Sequence, residues 1–306
     1  MGLGMKKPMS LLIICAISMS ALSSTARADA YGSGWYGELQ ASYGHEDNIT
    51  RTYHSDELSD EIASVSIGGG YSRKIRDNSQ LILSAYLIYN RHRDWEALNS
   101  FGVSLGLDYT IQPRMSYNAP WYNIKLTATN LEYKDSNPRE GVLVNADLSV
   151  NKRLTTALTG HLGYRYKDLI FVGKSDAEEK NDTAFDTDSQ EIYLGLDYAI
   201  GISVYFFGEY AYRHGDVRST VSGGLATGDK YDAETIDNVF DPPCTRRCNW
   251  SYAYRQKGDT QLATLGVAFP VKKVYVDVAA SYFEAKGDNG KTYEDWLIKL
   301  GLLWNF

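Results

Sequence analysis

The chain has 306 residues, with 31 Lys plus Arg against 38 Asp plus Glu, a net charge of −7 and a mean hydropathy of −0.35. This acidic balance supplies no basic face for nucleic acid, and no run of eighteen apolar residues follows residue 28, so no transmembrane helix is available. Twenty-four Tyr, 6 Trp and 27 Gly beside only 7 Pro is an unusual mix for a soluble α/β domain, so the period of the apolar residues has to decide the class.

The first segment reads as separate from the fold. Lys6 and Lys7 make a basic start, Leu11 to Leu22 an apolar stretch, and Ala26-Arg27-Ala28 a small-residue cleavage site. This pattern predicts a secretory signal peptide over residues 1–28, leaving a domain over 29–306; Ala28-Asp29-Ala30 is a second cut that would move the start by two residues. Cys15 would serve a lipid anchor, but the bulky Ile14 before it argues against one. Removing Lys6, Lys7 and Arg27 leaves 28 basic residues against the 38 acidic ones, a net charge near −10.

From there to the last residue, apolar side chains recur at every second position. The first segment is 35–43, with Trp35, Gly37, Leu39, Ala41 and Tyr43 on one face. It is followed by 63–71, 81–89, 101–109, 122–128, 142–150, 158–166, 192–198, 204–212, 263–269, 274–282 and 298–306, twelve segments in all. Strict alternation predicts β-strands with one apolar and one polar face. The connectors at 76–79, 151–156, 199–203 and 270–273 are short and 112–120 is a somewhat longer turn, whereas those at 45–60, 91–98, 134–140, 168–189, 214–259 and 286–291 are mostly longer and more polar. Short turns at one end and long loops at the other, around an even strand count, predict an all-β transmembrane antiparallel up-and-down β-barrel of 12 strands, with periplasmic turns and extracellular loops. Both chain ends then fall on the periplasmic side.

A soluble sandwich or barrel would also alternate, but there the large aromatics would be spread through a shared core. Here they collect at strand ends. Trp35 and Tyr43, Phe101 and Tyr109, and Trp296 and Trp304 are each eight residues apart on one face. Eight steps of roughly 3.3 Å, tilted by about 40°, span roughly 20 Å, close to the ~25 Å apolar band flanked by aromatic girdles in outer-membrane barrels. The expected surroundings are outer-membrane lipid and lipopolysaccharide of a Gram-negative bacterium.

The last segment, IKLGLLWNF (298–306), places Trp304 and Phe306 at the periplasmic rim. A terminal strand ending in Phe, with an aromatic two residues before it, resembles the signal by which the barrel-assembly machinery recognises Gram-negative outer-membrane proteins. The resemblance covers about ten residues and implies a biogenesis partner, not an activity. The whole mature chain looks like a twelve-stranded member of that porin-like class. GHEDNIT (44–50) further resembles the barrel of surface-lipoprotein assembly modifiers, over seven residues that assign no family.

Strand parity also selects the inward-facing charges. These are the acids Glu38, Asp108, Asp147, Asp197, Glu209 and Asp277 and the basic or titratable Lys125, His161, Arg165, Arg213 and Lys299. A Lys or Arg facing lipid at mid-bilayer costs about 2–4 kcal/mol, so all eleven are expected in the lumen. Two readings stay open: the charges pair across the interior and hold the barrel together, or they line a water-filled path for small solutes. Eight strands are filled by their own side chains, and sixteen or more leave an open channel, so twelve allow a narrow lumen.

The connection 214–259 holds the acidic YDAETIDNVFD (231–241), Pro242, Pro243 and CTRRC (244–248). In an exported protein Cys244 and Cys248 predict a small disulfide before a metal site. Arg246 and Arg247 at its tip would reach an anionic group such as a lipopolysaccharide phosphate, or simply be solvated. His45, His54, His92 and His214 lie at or above the extracellular strand ends, each near an acid, an arrangement that outer-membrane proteases also use. No family motif accompanies them. The acidic stretches at 176–188 and 231–241 lack the ligand spacing of a calcium loop, and no cofactor is expected. Three functions follow: a small-solute channel narrowed by 214–259, a closed barrel that binds or assembles surface components through its loops, and a hydrolase at the rim.

Overall fold

A strand that is apolar on one face and polar on the other is satisfied when the two faces meet different surroundings. The computed structural model describes residues 33–52, 57–136, 139–171, 184–201, 203–222, 233–240 and 251–306. In chain order the strands are β1 (Gly34–Glu46), β2 (Asp60–Arg76), β3 (Ser79–His92), β4 (Ser100–Ile111), β5 (Trp121–Tyr133), β6 (Gly141–Arg153) and β7 (Leu158–Phe171). They continue as β8 (Thr187–Ile200), β9 (Val204–Ser222), β10 (Ala233–Ile236), β11 (Ser251–Val271), β12 (Val274–Gly287) and β13 (Thr292–Asn305).

Each strand from β1 to β9 pairs antiparallel with the next, β9 pairs with β11, and β11, β12 and β13 follow in turn. β13 returns to β1 from Glu38↔Asn305 to Glu46↔Leu297, which closes a barrel of twelve strands. The seam reaches the final residue: Gly37 N donates to Phe306 O at 2.8 Å, and Phe306 N donates to Gly37 O at 2.9 Å. Closure removes the sheet edges, as a hydrocarbon surrounding requires.

The outward row is apolar and exposed, with Val65, Ile67, Leu83, Leu87, Leu105, Leu194, Leu265 and Ile298 along it. A continuous exposed band of this kind belongs against lipid. Aromatic pairs mark its limits. Trp35 and Tyr71 rings lie 5.1 Å apart and Trp304 and Phe306 5.3 Å apart at the periplasmic end, with Tyr282 and Trp296 4.9 Å apart at the other.

The periplasmic turns are short, as the sequence predicts. The extracellular side needs correction. The connection expected over 214–259 is in large part strand: β9 runs on to Ser222, β11 begins at Ser251, and the two pair up to Ser222↔Ser251. The connection expected over 168–189 shrinks likewise, since β7 reaches Phe171 and β8 starts at Thr187. The two-residue rhythm fades there because these extensions stand above the lipid and neither face has to be apolar. β12 follows β11 only to Gly258↔Gly287, so the extension of β11 would present a bare edge. β10 covers it, pairing from Ala233↔Arg255 to Ile236↔Tyr252. The expected signal peptide (1–28), His54, Arg246, Arg247 and the Cys244–Cys248 pair lie outside the described residues.

Candidate functional site

Antiparallel pairing brings residues from neighbouring strands directly opposite one another, and on six strands it brings opposite charges together. Asp108 of β4 faces Lys125, Lys125 faces Asp147, Asp147 faces Arg165, Arg165 faces Glu191, and Glu191 faces Arg213 of β9. Sign alternates at every step. The row also climbs: Asp108 lies three residues from the periplasmic end of β4 at Ile111, while Arg213 lies nine from that end of β9 at Val204. The charges therefore form a ramp up the inner wall.

Its upper half is a connected network. Glu191 accepts from Arg213 Nε at 3.0 Å and Nη2 at 2.8 Å, and also from Arg165 Nη1. Arg165 Nε donates to Asp147 at 2.9 Å and its guanidinium lies 4.4 Å over the Tyr193 ring; Tyr193 in turn donates to Asp147 at 2.8 Å. Lys167 Nζ stands 3.8 Å from Glu191. Nearer the periplasm, His161 sits between Asp197 at 3.6 Å and Glu209 at 3.7 Å. The side chains of Asp147, Glu209 and Asp197 keep 15–19% exposure although they face inward, so this wall has open space in front of it. Glu191, at 2% exposure, is its packed centre.

The opposite wall carries Glu38, which accepts from Tyr86 Oη at 2.6 Å, and the buried Lys299. Asp277 faces Gly301 across β12 and β13, with its carboxylate beside the Cα of that glycine. Between the charges run neutral hydrogen bonds, among them Thr129 to Ser104 at 2.8 Å and Asn123 to Thr110 at 2.9 Å. All eleven charges selected by parity thus lie on the barrel's inner side. Parity reasoning missed Lys167 and Glu191 because it ended one strand at Tyr166 and began the next at Ile192. Both share the parity of the inward residues beside them, so extending each strand one step would have found them.

The extracellular mouth is gathered in. Ile49, Ile62, Leu98, Val239 and Phe240 form one apolar cluster that joins the connection after β1, the strand end of β2, the connection after β3 and the one between β9 and β11. A second cluster fills the inner wall beneath it, with Val217, Tyr254, Phe283, Tyr293 and Leu297; the hydroxyls of Tyr254 and Tyr293 are 2.7 Å apart.

The structure does not bring the described rim histidines together. His45 points outward beyond Tyr43, and His214 points outward beyond Tyr212 to meet Asp259 at 2.9 Å. His92 is buried and bonded to Asp60 at 2.6 Å, with no side-chain exposure on either partner. Among the described residues no three His, Cys, Asp or Glu side chains form a group that could hold a metal ion.

No protein-family model matches the sequence, and no curated protein matches it. Among solved structures, the barrel is similar to an outer membrane channel from Pseudomonas putida F1, with a TM-score of 0.55 at 11% identity, covering 90% of this chain and 97% of that one. Two others are matched with lower scores. The KdgM porin in complex with disordered oligogalacturonate gives a TM-score of 0.45 at 9% identity, over 88% of this chain and 99% of that chain. The translocator domain of the autotransporter NalP from Neisseria meningitidis gives 0.43 at 12% identity, over 95% and 96%. At such identities the likeness is one of fold, that of an outer-membrane β-barrel.

Proposed function

We propose that this outer-membrane β-barrel is a channel, passing small solutes through a narrow, charged lumen. One observation carries the reading: the climbing row of alternating charges on the inner wall, in which Asp147, with Asp197 and Glu209 beside the row, remains partly exposed to the interior. Taking such ions out of water costs several kcal/mol each even after relaxation. A water-filled lumen removes much of that cost and gives the charges a role toward solutes.

The wall is close to balanced. Among the inward groups named above, seven acids (Glu38, Asp108, Asp147, Glu191, Asp197, Glu209, Asp277) stand against five basic side chains (Lys125, Arg165, Lys167, Arg213, Lys299) and His161. This supports a weak preference for cations or for solutes that carry both signs. No catalytic step belongs to the reading. Outer-membrane lipid and lipopolysaccharide would surround the band, and the barrel-assembly machinery would insert it.

A second reading is a closed barrel that acts through its extracellular surface in binding or assembly. The apolar cluster drawn over the mouth favours it. Single-channel recording on the refolded full chain separates the two. Stepwise conductance from the unaltered protein is expected; no conductance, with the mouth intact or loosened, would leave the closed barrel.

A further inference from the structure

Above the extracellular girdle, three arginines from separate segments line one small recess. They are Arg51 from the connection after β1, Arg139 from the connection after β5, and Arg218 from the extension of β9. Thr50, Ser219, Thr220 and Phe240 help complete it.

The three guanidiniums are not equally compensated. Arg139 holds Asp237 with both terminal nitrogens and Ser136 Oγ at 2.8 Å. Arg51 feels the opposite charges of Glu46 and Asp295 and lies 4.8 Å over the Phe283 ring. The Nε atoms of both are buried with no hydrogen-bond partner. Arg218 forms no ion pair among the described residues. It meets the ring of Phe185 at 5.1 Å, and Arg139 lies over that same ring at 4.7 Å.

Burial and the like charges of Arg139 and Arg51 push Arg218 down to about 9. A guanidinium does not readily shed its proton inside a protein, so relief has to come from negative charge, of which Asp237 supplies a small part. We propose that the recess is a small-anion site, in which a chloride-sized ion sits among Arg51, Arg139 and Arg218 and ties three extracellular segments together over the mouth.

Size narrows the ligand class. The recess has room for about one water-sized body, which suits a halide better than phosphate or sulfate. The backbone at Arg51 is held in place by its neighbours. Its φ is +51°, a left-handed conformation uncommon for a residue with a side chain. Ser219 Oγ donates to Arg51 O at 2.5 Å and Thr220 N donates to Thr50 O at 2.9 Å. Such strain persists where the surroundings over-determine it, and here the extension of β9 fixes Arg51 beside Arg218. The ion favours the gathered mouth because it binds that arrangement and not the spread one.

The test uses the refolded full chain in sodium chloride, sodium bromide or sodium gluconate at equal ionic strength. Two quantities are read: the rate of proteolytic cleavage in the extracellular connections, and the chloride-35 NMR linewidth in the presence of protein. Chloride at about ten times its Kd should slow cleavage about tenfold relative to gluconate, with bromide close behind. Arg218→Gln should lose both the protection and the excess linewidth while keeping the mobility shift of a folded barrel. Equal cleavage of the unaltered protein in all three salts, without excess linewidth, would overturn the proposal. So would an Arg218→Gln chain that keeps the chloride effect. The linewidth of the unaltered protein decides the matter by itself if that variant fails to fold.

Discussion

Asp237 and Arg139, 98 residues apart in the chain, meet in a two-pronged ion pair over the barrel mouth. The side chain of Arg139 is 4% exposed and that of Asp237 1%, so neither charge has water to fall back on. Thr220 Oγ1 donates to the same carboxylate at 2.9 Å, which makes Asp237 the meeting point of three segments.

Asp237→Asn should therefore loosen the mouth and leave the barrel folded. Removing one partner of a buried pair costs about 3–5 kcal/mol, and local opening can relieve that strain without unfolding the strands below. Cleavage within 223–250 should speed up, and single-channel conductance should rise. Conductance and cleavage matching the unaltered protein would show that the pair holds nothing closed.

Glu191→Gln should shift the lumen toward anions. The change leaves Arg165 and Arg213 without the carboxylate they share and removes one negative charge from the lumen. The opposite change, Glu at Arg165, Arg213 or Lys299, should shift selectivity toward cations. Reversal potentials across a potassium chloride gradient report both signs. Unmoved potentials in all four variants would make these groups structural pairs only.

Gly69→Ala should impair folding of the barrel. A Cβ there would lie 2.1 Å from Tyr36 O, a backbone atom of the neighbouring strand that cannot swing aside. Shifting a packed backbone typically costs about 1–3 kcal/mol, so the yield on refolding and the urea midpoint should both fall. An alanine variant that refolds as well as the parent would mean that β1 and β2 separate easily.

Deleting Phe306 should open the seam from its periplasmic end. The deletion removes the two backbone hydrogen bonds to Gly37 and the ring partner of Trp304. Two such bonds are worth about 1–3 kcal/mol together, a loss readable as a lower urea midpoint. Slower insertion in the presence of the barrel-assembly machinery is expected as well; parental stability and insertion would remove Phe306 from the closure.

Much of the interior was legible because strand parity is a local property. Once Leu162 and Tyr164 are assigned to lipid, His161 and Arg165 have only the lumen to face. The same reasoning placed Glu38, Asp147 and Lys299 without any knowledge of their partners. It stopped where the outward residues cease to be apolar, at Asp168 and Gln190. Lys167, Glu191 and the extensions of β9 and β11 stand at or above the lipid edge, where no solvent imposes a two-residue rhythm.

The sequence by itself determined the twelve strands, the face each turns to lipid and the side on which the long connections lie, because hydrocarbon tests every second residue in turn. Only the tertiary structure decided that Asp108, Lys125, Asp147, Arg165, Glu191 and Arg213 fall into one alternating row, since that depends on the stagger between neighbouring strands. It likewise decided that Arg51, Arg139 and Arg218 share a recess, because contacts between distant loops obey no period along the chain.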